Sequence, residues 1–205
     1  MLKKIKISGK RLRISLLLGL LCAMFLSLTD FNADCEDLRQ NVLRLHIIAN
    51  SDSAADQALK LKIRDRILEQ SEDIFGLCDN IDDAVEVTQN QLQRFESIAN
   101  KVIAEENVGY KASAGVSEHY FDTRVYDEFT LPAGNYKSLV INLGKGEGKN
   151  WWCIIFPEIC LPAATKDGLN KTVDDDSACI AQNSNHYILR FKVVEIYEDI
   201  KNWFK

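Results

Sequence analysis

Residues Leu43–Asp65 read LRLHIIANSDSAADQALKLKIRD, and this stretch decides the fold. Leu43, Leu45 and Ile47 alternate with Arg44 and His46, the period of a strand, so a strand is expected over Val42–Ala49. Asn50-Ser51-Asp52 interrupts that period. Ser53 and Asp56 then form an S-x-x-D capping box, in which the serine hydroxyl accepts the amide three residues on and starts a helix. The helix should run to about Ser71, with Leu59, Ile63 and Ile67 on one seam and Leu61 and Leu68 on another. Two seams predict contact with two neighbouring elements.

Downstream, Ile81, Ala84, Val85, Thr88, Leu92, Phe95, Ala99 and Val102 recur at steps of three and four, which predicts a core-facing helix. Asp82 and Asp83 suit the positive end of its dipole, and Asn107 and Gly109 stop it. From Tyr110 the period changes. Residues 110–126 favour a strand, Leu131-Pro132-Ala133-Gly134-Asn135 a turn, and Tyr136–Leu143 and Trp151–Phe156 two strands that read as an antiparallel hairpin. His186–Lys205 starts β-like and finishes as a helix. The order β-α-α-β-β-β-α predicts an α+β domain, a small antiparallel sheet packed against two to three helices.

Upstream the chain changes character. Lys3, Lys4, Lys6, Lys10, Arg11 and Arg13 precede the uncharged run Ile14–Leu28, ISLLLGLLCAMFLSL. Cations followed by an apolar core and a polar stretch are an export signal, either a signal peptide or an N-terminal anchor. Residues 1–29 are therefore read as the export segment, 30–40 as a polar linker, and 41–205 as one exported domain in which the polar stretch 169–185 is a mobile loop. Setting those six cations apart leaves 19 basic residues against 30 acidic ones. A body so acidic repels phosphate and excludes nucleic acid as a partner.

Chemical motifs are sparse. His46, His119 and His186 show no ligand spacing and no C-x-x-C pair occurs, so no metal and no cofactor are expected. Gly144, Gly146 and Gly148 precede a strand rather than a helix, which fits a hairpin turn and not a phosphate loop. His46, Ser51 and Asp52 are the residue types of a hydrolytic triad, but nearness in sequence does not make them converge, and no catalytic residue is assigned. Cys153 and Cys160 are the best-placed pair for a disulfide in an oxidising compartment. Trp151 and Trp152, adjacent in a strand, must face opposite sides of the sheet.

Two stretches, Leu43–Asp65 and Leu131–Cys160 (LPAGNYKSLVINLGKGEGKNWWCIIFPEIC), closely resemble the stage II sporulation protein R family. The resemblance implies an exported, non-enzymatic signal. Such a protein is made in the forespore and exported into the space between the septal membranes, where it activates a membrane-embedded aspartic protease that processes pro-sigma-E. The first motif brings His46, Asn50, Ser51, Asp52, Asp56, Lys60 and Arg64 to the strand-to-helix junction. The second brings Arg124 and Tyr126 ahead of the turn, then Gly146, Gly148, Asn150, Trp151 and Trp152. These are the expected partner-binding residues. The competing readings are a cell-envelope (peptidoglycan) hydrolase, resting on the His46–Asn50–Ser51–Asp52 cluster, and a structural envelope protein.

Overall fold

The computed structural model describes residues 9–126, 129–157, 173–183 and 186–204. Helix α1 (Gly9–Gln40) leads into strand β1 (Leu43–Ile48). Helices α2 (Ala54–Glu69), α3 (Ser71–Phe75), α4 (Ile81–Asn90) and α5 (Leu92–Glu105) follow. Then come β2 (Ala112–Phe121), β3 (Arg124–Val125), β4 (Thr130–Leu131), β5 (Gly134–Leu143) and β6 (Asn150–Phe156). Helices α6 (Asp175–Gln182) and α7 (Ile188–Trp203) complete the described chain. This is a mixed α+β domain with more elements than the sequence order suggests.

The sheet is mixed, not antiparallel. Its strand order is β2-β5-β1-β6, and β1 runs parallel to β5 but antiparallel to β6. The expected hairpin of β5 with β6 does not form, because β1 lies between them. The helical connection α2–α5 carries the chain across one face into β2, and the reversal from β2 into β5 then sets β5 beside β1 and parallel to it. Strand β2 pairs antiparallel with β5 over its full length, Ala112 opposite Leu143 and Phe121 opposite Gly134.

Helices α2–α5 cover one face. Leu43, Leu45 and Ile47 meet Leu59, Ile63, Ile67, Phe95, Ala99 and Val102 in the main core. Ser53 caps α2 as expected, its side chain accepting from the Asp56 amide at 3.1 Å. The single helix expected over 81–102 is broken at Gln91 into α4 and α5. A smaller core lies on the opposite face, where Leu38, Val42, Phe121, Phe129, Leu131, Tyr136, Ile154, Ala178 and Ala181 pack together. Both faces of β1 are therefore buried, and Arg44 and His46, which alternation directs away from the helices, are enclosed too.

Two expectations about the flanks are corrected. Residues 30–40 are not a linker but the last turns of α1. Phe31, Cys35 and Leu38, at steps of four and three, form a stripe buried to within 1% of full enclosure. Of the stretch read as a mobile loop, residues 175–182 form α6, capped by the Asp174 side chain on the Ser177 amide at 2.7 Å. Its Ala178, Ile180 and Ala181 are buried. The last segment has no β-like start in the described residues, since α7 begins at Ile188. N-terminal to Asp30 the same helix α1 leaves Leu12, Leu16, Leu17, Leu20, Leu21 and Leu26 exposed. It is long and apolar enough to cross a membrane, and is compatible with export or anchoring.

Candidate functional site

Strands β5 and β6 flank β1, so the segment joining them, Gly144–Lys149, must arch over the end of β1. There it meets the Asn50-Ser51-Asp52 break, and the two sequence motifs become one structure. The Gly148 amide donates to the Ala49 carbonyl at 2.8 Å. The Asn50 Oδ1 accepts the Lys145 amide at 3.0 Å, and the Asp52 Oδ1 accepts the Lys149 amide at 2.7 Å. From α2, the Lys60 Nζ donates to the Lys149 carbonyl at 2.9 Å and to Gln57 at 2.6 Å. Gly144 and Gly146 adopt φ of +58° and +65°, in the left-handed region where glycine carries little strain. A β-carbon on Gly148 would run into the Ser51 carbonyl.

Asp56 organises the junction beneath the arch. Its carboxylate accepts from Ser51 Oγ at 2.5 Å, from Tyr110 Oη at 2.6 Å and from Asn50 Nδ2 at 3.0 Å. These donors, Ser51 and then Tyr110 foremost, hold its pKa down to about 2. Burial and the same carboxylate push the Tyr110 hydroxyl up, so it stays a donor. Tyr110 is not among the site residues expected from the sequence. The one signal for Tyr110 is an aromatic at the point where the helical period gives way to β.

The remaining expected residues divide between the two sheet faces. On the helix-covered face, the Arg64 guanidinium lies 4.5 Å from the Trp151 ring centre. On the opposite face, His46 stacks on Trp152 at 3.7 Å between ring centres, with Phe121 edge-on to Trp152 at 4.6 Å. The two tryptophans do face opposite ways, and both are half-buried. Arg44 is fully buried, 3.9 Å from the Phe121 ring centre, and donates to Tyr126 Oη at 2.9 Å. Its Nε and Nη1 have no partner among the described residues. Tyr126 stacks on Phe129, which fixes the β3–β4 pair over Arg44. Arg124 sits on β3, exposed, and Asn150 opens β6, also exposed.

The triad residue types do not assemble. The Ser51 hydroxyl is committed to Asp56. His46 lies on the far face, and burial lowers its pKa to about 4; Asn150 favours the charged ring but does not offset burial. Neither imidazole nitrogen has a well-formed hydrogen bond among the described residues. No cluster of three His, Cys, Asp or Glu side chains able to hold a metal occurs among the described residues. Cys153 is buried and disulfide-bonded, and the expected partner Cys160 lies outside the described residues.

What remains open to solvent is a rim of mixed charge: Asp52, Lys145, Glu147, Lys149 and Asn150 are exposed around the arch. Their backbone is fixed by the buried and half-buried network beneath. A fixed polar rim beside half-buried aromatic rings is suited to recognising another macromolecule.

Comparison with known proteins agrees with the motifs. The family described as stage II sporulation protein R matches residues 39–166. The stage II sporulation protein R of Bacillus subtilis (strain 168) is 36% identical over 118 residues, covering 58% of this chain and 53% of that protein. The match thus spans about half the length of this curated relative. No solved structure matches the chain significantly. The matched region contains β1–β6, the arch and the junction that it grips, and on that ground the chain belongs to the stage II sporulation protein R family.

Proposed function

We propose that the chain is an exported signalling ligand of sporulation, without enzymatic activity of its own. It acts in the space between the septal membranes and activates the membrane aspartic protease that processes pro-sigma-E. The observation that carries this reading is the interlock of the two family motifs. Polar side chains of the first motif are spent on holding the backbone of the second, which builds a fixed outer surface rather than a nucleophile and base. An apolar helix ahead of the domain supplies the means of export. A ligand that binds the active form of its receptor more tightly than the inactive form shifts the receptor without any chemistry. The hydrolase reading draws no support from this geometry, since His46 and Ser51 serve different faces of the sheet.

The test is reconstitution in a non-sporulating host that makes the protease and pro-sigma-E. Processing should appear when the full chain is exported and be absent when residues 3–13 lose their cations and the chain stays inside. Processing independent of export, or none from a folded and exported chain, would refute the proposal.

A further inference from the structure

Helix α7 has two apolar faces, and the domain uses only one. Phe191, Val194 and Glu198 are buried against the rest of the protein. Away from them, Leu189, Val193, Ile196, Ile200 and Trp203 remain 45–82% exposed. These five follow one another at steps of four, three, four and three. That is the 3.5-residue period of a coiled-coil seam, with Val193 and Ile200 at a positions and Leu189, Ile196 and Trp203 at d positions. Single exposed apolar residues are ordinary, but a continuous stripe marks an interaction surface.

The direction of α7 narrows what can lie on the stripe. The Phe191 ring packs on Phe31 at 5.2 Å, and Glu198 reaches Arg39 at 3.9 Å. Helix α7 therefore runs alongside α1 in the same direction. Leu189 sits at the end where α1 leaves the domain for its apolar stretch, and Trp203 sits farthest from it. A membrane entered by α1 would meet only the start of α7, so the stripe as a whole cannot lie on that bilayer.

We propose that the stripe pairs with the same stripe on a second copy of this chain, as a parallel two-helix seam. Two copies held by α1 in one membrane are related by an axis along that helix, and such an axis sets the two α7 helices parallel and in register. The a layers are then Val193 on Val193 and Ile200 on Ile200, and β-branched residues at a favour parallel pairs. Lys192 falls opposite Tyr197 of the second copy, and Asp199 opposite Phe204, so no like charges face each other. Two heptads alone make a weak pair, and shared anchoring raises the effective concentration enough to close it. The orientation rests on α1 acting as an anchor; the pairing does not rest on the signalling role.

The test is oxidative cross-linking of the full chain in membranes, with Cys22 and Cys179 replaced by Ser. Ile196→Cys and Ile200→Cys should give a disulfide-linked dimer on the order of tenfold more abundant than Lys201→Cys, which lies off the seam. The double change Ile196→Glu and Ile200→Glu should abolish a dimer trapped by amine cross-linker while leaving the thermal midpoint of the domain unchanged. Seam and off-seam positions that cross-link equally would overturn the proposal. So would adducts of another protein's size, or cross-linking only between Leu189→Cys and Trp203→Cys, which reports antiparallel pairing. None of these readouts depends on protease activation, so failure here and failure of the signalling reading are separate results.

Discussion

Gly148 presses against the Ser51 carbonyl, 97 residues away in sequence, so closely that no side chain fits between them. This contact joins the two family motifs, and the neighbouring amides and carboxylates hold it in place. Gly148→Ala should displace the arch and lower the unfolding free energy by about 2 kcal/mol or more. Gly109→Ala, where nothing lies within 4 Å of the added carbon, should change it by less than ~0.5 kcal/mol. Denaturant unfolding of the two variants decides the matter; equal stability would show that the arch does not need this close approach.

The buried His46 makes stability depend on mildly acidic pH. Its folded pKa of about 4 lies below the ordinary value of 6.5, so the unfolded chain binds more protons between the two. The stabilisation is complete above 6.5 and is lost as the pH falls toward 4. The slope is at most ~1.4 kcal/mol per pH unit. His46→Phe should flatten that window relative to the wild type. A wild-type curve as flat as that of the variant would mean that the ring is protonated in the folded state.

Asp56 acts in a lower window. Its pKa of about 2 lies below the ordinary 3.8, so the stability it supplies is present above about 4 and lost as the pH falls through 2. Asp56→Asn should remove this part of the acid transition and, in the alkaline range, let the Tyr110 hydroxyl titrate at lower pH than in the wild type. Absorbance titration of the tyrosines, read against acid unfolding, checks both expectations.

The folded unit begins at the last turns of α1, not at β1. Phe31→Ala should cost ~3–5 kcal/mol, the range for emptying a buried aromatic site. A chain starting at Asp30 should fold, whereas one starting at Asn41 should not. Proteolysis of the two fragments distinguishes them, and equal resistance would place the boundary where the polar composition suggests.

Much of this was legible in the sequence. The Ser53 cap, the seam of α2 and the alternation of Leu43, Leu45 and Ile47 were all local signals. The burial of Arg44 and His46 was not, because the side chains that enclose them (Phe121, Tyr126, Tyr136 and Trp152) lie far away along the chain. The β5–β6 hairpin was misread for a related reason. Two strands joined by a short loop pair by default, and only the long crossover through α2–α5 brings β1 between them. The stripe of Phe31, Cys35 and Leu38 was masked by the acids around it, Asp30, Asp34, Glu36 and Asp37, which made a core helix read as linker. Asn50, Ser51, Asp52, Asp56 and Lys60 of the first motif meet the glycine loop at one junction, whereas His46 and Arg64 lie on opposite faces of the sheet. Trp151 and Trp152 were necessarily divided by the sheet.

The most direct measurement is photo-cross-linking from the crest of the arch. A cross-linking amino acid replaces Lys145 in the exported full chain, with the same replacement at Leu77, exposed and remote from the arch, as reference. In the reconstituted host, Lys145 should yield an adduct with the membrane protease and Leu77 should not. Processing should remain normal in the Leu77 chain. An exported, processing-competent chain that gives no protease adduct from Lys145, or gives it equally from Leu77, would contradict the claim that the interlocked motifs form the surface the protease reads.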